Sequence, residues 1–197
     1  MKPKLIPARV PWKVSAHAPC LELHLSKDCD LPIFASFIGY FKLQDRAKPN
    51  LGQARSYDDP GPFRPAKQGE EGQPYHVIGV RFLGGLRGRL VDAYDEDQVI
   101  DESAFDWSAL PTEFLIGETL DENLARGDRY LNETGLSPSP RFYEVIGSPW
   151  VDEVAPERTD LRHYIILGLE EYAEVLAEGW EWELGQPVNL KAAALDA

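Results

Sequence analysis

The chain has 197 residues, 43% of them hydrophobic and 11% aromatic, enough apolar material for one packed domain and too much for a disordered chain. No apolar run approaches the roughly 18–20 residues that cross a bilayer, so no membrane span is expected. The charge is uneven: residues 1–89 carry 14 basic and 8 acidic side chains, and residues 90–197 carry 6 and 25. An acidic half of that kind argues against nucleic acid and favours a basic protein partner by electrostatic steering.

Lysines without an apolar core at the N-terminus do not read as a secretory signal, so a cytoplasmic location is expected. Eight residues lie between Cys20 and Cys29, a spacing that fits neither a redox pair nor a zinc knuckle.

In chain order, Val10, Trp12 and Val14 alternate, as do Leu21, Leu23 and Leu25, which predicts two strands with one dry face each. Pro11 puts the first at a sheet edge. Asp30 as cap, Pro32 in the first turn and Ile33, Phe34, Phe37, Ile38 and Phe41 on one face predict a helix, with a strand as the alternative. From Gln44 to Pro74 periodicity stops amid prolines and glycines, so a long polar loop is expected, with Tyr57 and Phe63 as its anchors and a lid as one use.

His76, Ile78, Val80 and Phe82 alternate and predict a hairpin that returns at Leu90 and Val91 through Leu83–Gly88. The glycines of that turn do not make a phosphate loop, for no GxxxxGK[ST] pattern follows. Asp92–Asp106 holds seven carboxylates without the order of a calcium-binding loop. Asp101 is placed to cap a short turn of helix ending before Pro111. Thr119 and Glu122 form a capping-box pattern ahead of Leu120, Leu124 and Leu131, with Gly135 as the stop. Arg126-Gly127-Asp128 lies inside this predicted helix and is read as chance. Three strands are expected after it: Phe142–Ile146, His163–Leu169 and Tyr172–Leu184, the last two pairing through Glu170 and Glu171. A helix over Glu171–Ala177 is the alternative for the start of the third.

These elements predict an α+β fold, a largely antiparallel sheet with two helices and one long polar loop, in a single domain over 1–197. The four histidines, His17, His24, His76 and His163, show no metal-ligand spacing, and no nucleophile elbow occurs, so neither a metal nor a cofactor is expected. Glu144 shares a strand face with Phe142 and Ile146, where a carboxylate needs a partner, and Arg162 or His163 on the next strand could supply it. Trp107 and Trp150 stand beside loop signals, as partly buried plugs or interface anchors.

The segment Phe114-Leu115-Ile116-Gly117, Gly135-Leu136, Phe142-Tyr143-Glu144-Val145, Ser148, Trp150 and Arg162-His163-Tyr164-Ile165 resembles a family of uncharacterised bacterial proteins over roughly residues 113–178. Its pattern runs F-x-I-G, G-L, Y-E-V-x-N-S-x-W, a basic residue with H-F-I-F, then F-H-D-x-T-F-E. Glu174 matches; Gly147 replaces the Asn, and Gly168-Leu169-Glu170 replaces F-H-D. The resemblance implies a fold more than an activity. Together these residues make Glu144, Trp150, Arg162, His163 and Glu174 the candidate binding set, with no catalytic residue assigned. The expected function is protein binding, in concrete form a cytoplasmic immunity protein that neutralises a basic toxin. The alternative is an enzyme or small-ligand protein with its site between the sheet and the 44–74 loop.

Overall fold

A strand with one apolar face is stable only when that face is covered, and this chain covers its strands by stacking two antiparallel sheets. In the computed structural model, which describes residues 2–15, 21–25, 32–41, 55–56, 75–95, 98–111 and 118–188, the first sheet joins β1 (Lys4–Pro7), β8 (Phe142–Ile146), β9 (Arg162–Leu167), β10 (Glu171–Ala177) and β7 (Arg87–Asp92) in that order. The second joins β2 (Trp12–Val14), β4 (Ile33–Phe41), β6 (Tyr75–Leu83), β11 (Gly179–Pro187) and β5 (Arg55–Ser56), with β3 (Glu22–His24) also on β4. Two helices complete the α+β fold, α1 (Leu120–Thr134) and α2 (Pro149–Val154).

The core lies between the sheets. Trp12, Phe37, Val80, Phe82, Trp180 and Trp182 of the second sheet meet Phe142, Tyr164, Ile166 and Val175 of the first. Trp12 stacks on Phe142 with centroids 6.1 Å apart, and Trp180 meets the same ring edge-on at 4.9 Å. The opposite face of the first sheet has a smaller cluster, where Ile100, Phe105, Trp107 and Leu110 cover Leu5, Tyr143, Val145, Ile165 and Leu167.

Three expectations are corrected. Ile33–Phe41 is not a helix but the strand β4, paired with β6 over eight registered positions. Ile33, Ala35, Phe37 and Phe41 enter the core, but Phe34, Ile38 and Tyr40 put apolar groups on the other face as well. A strand apolar on both faces loses its alternation and imitates a helical stripe. At Gly39 the backbone of β4 approaches the Ile78 side chain so closely that a Cβ would collide with it.

Residues 76–94 are also not a hairpin. β6 and β7 belong to different sheets, and Gly84–Leu86 carries the chain across. Tyr172–Leu184 is likewise not one strand but two, with Glu178 at the break: β10 pairs with β9 as expected, and β11 pairs with β6. The two crossings lie side by side, because β7 pairs with β10 and β6 with β11. One long antiparallel ribbon is thus bent from sheet to sheet. Backbone bonds from Leu86 N to Leu176 O (2.8 Å) and from Glu178 N to Leu83 O (2.9 Å) close the corner. Gly84 makes the bend at φ 56°, where a Cβ would strike the Glu178 side chain.

Other expectations hold locally. Pro11 leads into β2, the end strand of its sheet. Thr119 and Glu122 form the reciprocal capping box of α1, and Gly135 ends it at φ 71°. Asp101 accepts from Ser103 N and caps a 3-10 turn, but that turn covers only Glu102–Ala104 and does not run on to Leu110 as expected. The second helix is α2, which the pattern reading did not single out. Of the 44–74 loop only Arg55–Ser56 is described, as β5; Tyr57, Phe63, both cysteines, His17 and Phe114–Gly117 lie outside the described residues. No helix among the described residues is long and apolar enough to cross a membrane.

Candidate functional site

Alternation along the first sheet divides the predicted site residues between its faces. Glu144 and Arg162 share parity with Phe142, Tyr164 and Ile166, which enter the core between the sheets. His163 and Glu174 share parity with Ile165 and Tyr172, on the outer face. Trp150 reaches that outer face from α2. The five candidates therefore form two groups.

In the first group the buried Glu144 carboxylate accepts from Arg162 Nη1 at 3.1 and 3.2 Å. The pairing expected for this glutamate is present, and Arg162 is the partner. The guanidinium is partly exposed, so the ion pair sits at the sheet margin rather than in a dry interior.

The second group is larger and closed. Gly147 turns the chain out of β8 at φ 72°, a conformation that glycine and asparagine tolerate. Ser148 then caps α2: its Oγ accepts from Trp150 N at 3.2 Å, and Pro149 occupies the first turn. The same Oγ lies 2.8 Å from His163 Nδ1. The hydroxyl, with one donor and two acceptor sites, serves the helix cap and the imidazole together. Nε2 faces Glu174 Oε1 at 3.3 Å, within ion-pair reach though not aligned as a hydrogen bond. Arg89, opposite Glu174 on β7, donates from Nε to Oε2. Its guanidinium sits 4.5 Å over the Trp150 ring, and Trp150 meets the His163 ring edge-on at 5.1 Å.

Burial penalises the Glu174 carboxylate, but the contacts with His163 and Arg89 outweigh that and hold it below the usual glutamate range. On the same face, burial and the Glu174 charge push the Tyr172 phenol up. Ser148, His163 and Glu174 are 5%, 4% and 6% exposed, whereas the Arg89 side chain is 53% exposed and Trp150 is half-buried. A buried hydroxyl, imidazole and carboxylate thus support a Trp–Arg pair that reaches solvent.

Two members were missed in the sequence. Ser148 carried a helix-start signal, Ser followed by Pro, but no sign that its hydroxyl reaches His163. Arg89 carried none, because its partner lies 85 residues away. Trp107 is a plug: it packs edge-on to Tyr143 at 5.8 Å and donates to Glu102 O at 2.8 Å. Among the described residues no three His, Cys, Asp or Glu side chains converge as a metal would require.

No family model, curated protein or solved structure matches the chain.

Proposed function

We propose that the protein binds a basic protein partner, in its concrete form as a cytoplasmic immunity protein that neutralises a toxin. The observation that carries this reading is Trp150, half-exposed and fixed from beneath on a helix whose outward residues include Asp152 and Glu153. Tryptophan and arginine are the favoured anchors of interfaces, and ordering them beforehand lowers the entropy cost of binding. Glu157 and Glu170 add exposed carboxylates in the same half of the chain, while Asp160 and Glu178 share Arg158. Such a surface attracts a basic partner and speeds encounter.

The test is to capture the partner from the native host, identify it by mass spectrometry, and measure association of the purified pair. The expected result is a basic partner, an on-rate that falls as salt rises, and affinity weakened about tenfold or more by Trp150→Ala, as at interface anchors. A salt-independent on-rate or an unaffected Trp150→Ala complex refutes the reading.

The contact chain Ser148–His163–Glu174 favours a second reading, acyl transfer with Ser148 as nucleophile, since hydroxyl, imidazole and carboxylate follow in the order such chemistry uses. It requires α2 to move, because Ser148 is buried and its Oγ holds the helix cap. Covalent labelling of Ser148 by a fluorophosphonate probe supports this reading, and an unlabelled serine refutes it.

A further inference from the structure

We propose that the cleft between α1 and the β2 edge binds a small monocarboxylate with an apolar body, its carboxylate on Lys13. The cleft has a volume of about 370 Å³, within the range of small-molecule sites. Its walls are mostly apolar, with Pro11, Leu124, Leu131 and Pro138 among them.

The structure points Lys13 into it for a simple reason. Trp12 and Val14 enter the core, so Lys13 between them projects from the opposite face of the sheet, across from Tyr40. That face is met by α1 and by residues 137–139; the segment 137–140 is held alongside residues 10–14 by the bonds Ser137 N to Val10 O (2.7 Å) and Val14 N to Pro140 O (2.9 Å).

Lys13 is half-buried, and among the described residues no carboxylate pairs with it. Its charged neighbour is a second cation, Arg141, whose guanidinium is tied to the carbonyl oxygens of Leu167 and Gly168. Burial, and then Arg141, press the Lys13 ammonium down from the ordinary lysine range. A half-buried cation beside another cation is unfavourable, and an anion relieves it. One ammonium suits one carboxylate, and the apolar walls suit a hydrocarbon or aromatic body. Asp128 stands exposed at the rim, so its charge opposes an anion from solvent rather than from within the cleft.

The probe is octanoate, titrated into the full chain by calorimetry and by amide shifts in NMR, with octanol and octylammonium as charge controls. Octanoate should bind saturably, octanol more weakly and octylammonium not at all. Lys13→Met keeps the aliphatic stem and should weaken octanoate about tenfold, the cost of a lost charge-assisted bond, while Lys13→Arg keeps most of the affinity. Leu124→Trp alters an exposed rim residue and should block the cleft without touching the core. Asp128→Asn should strengthen binding or leave it unchanged. Absence of saturable octanoate binding, equal binding by Lys13→Met, or octylammonium binding as tightly as octanoate overturns the proposal.

Discussion

The two polar regions of this protein treat buried charge in opposite ways. On the outer face of the first sheet, Glu174 is answered by His163 and Arg89, His163 also by Ser148, and Arg89 also by Trp150. At the margin of the second sheet, Lys13 has an open cleft and a like charge for company. The first arrangement returns the desolvation cost of its charges inside the fold, so it rigidifies the surface above it. The second leaves that cost standing, which is the condition for a ligand to be the missing partner. Stability should therefore report on the first region, and ligand affinity on the second.

The strongest way to break the contrast is Glu174→Ala. It leaves a buried imidazole and an arginine without their carboxylate, and stability should fall by about 3 kcal/mol, as when one partner of a buried ion pair is removed. Urea denaturation followed by tryptophan fluorescence checks this; a loss below about 1 kcal/mol, the scale of an exposed pair, would show that the cluster is not a closed network.

Ser148→Ala should cost about 1–2 kcal/mol, since one hydroxyl serves both the cap of α2 and the His163 ring. Its effect and that of His163→Ala should be less than additive, because each removes the same bond. Strict additivity in the double mutant would separate the helix cap from the network.

Acid sharpens the same point. The folded Glu174 carboxyl lies below its unfolded value, so its contribution is present above the ordinary glutamate range and is lost as pH falls through and below it. Asp106, Glu122 and Asp160 are lowered as well, by hydrogen bonds at exposed positions. Glu174→Gln should therefore flatten the acid limb of the stability curve only in part. A limb identical to wild type would place the acid sensitivity elsewhere.

The smallest effect has the opposite sign. In the absence of ligand, Lys13→Met should leave stability unchanged or raise it by about 0.5 kcal/mol, because it removes an unpaired charge and keeps the stem. Wild-type stability should also rise with pH just below the ordinary lysine range, where the unfolded chain binds a proton that the folded Lys13 gives up. A clear loss on Lys13→Met would mean that the charge is already satisfied within the fold.

Much of the local structure was legible because it depends on neighbours in sequence. The capping box of α1 needs only Thr119 and Glu122, its stop only Gly135, and the edge position of β2 only Pro11. β8 and the pairing of β9 with β10 were legible from short apolar runs and the turn residues Glu170 and Glu171 between the last two, and the face that Glu144 shares with Phe142 put it within reach of Arg162. His163 and Glu174 could be named as candidates, but not their meeting with Ser148 and Arg89, since a hydrogen bond across strands depends on register and on which strand lies alongside. The helix expected over Ile33–Phe41 failed because a central strand with apolar residues on both faces carries no period-two signal. The hairpin expected at 76–94 failed for a deeper reason. Alternation says which side of a strand is dry, but not which sheet the strand belongs to. Gly84 and Glu178 sit at bends whose meaning is set by the partner ribbon about a hundred residues away. Pairings over such separations are chosen by the closure of the whole core, where Trp12, Phe142 and Trp180 must all be covered at once, so the sequence determined the faces and the tertiary structure alone decided the sheets.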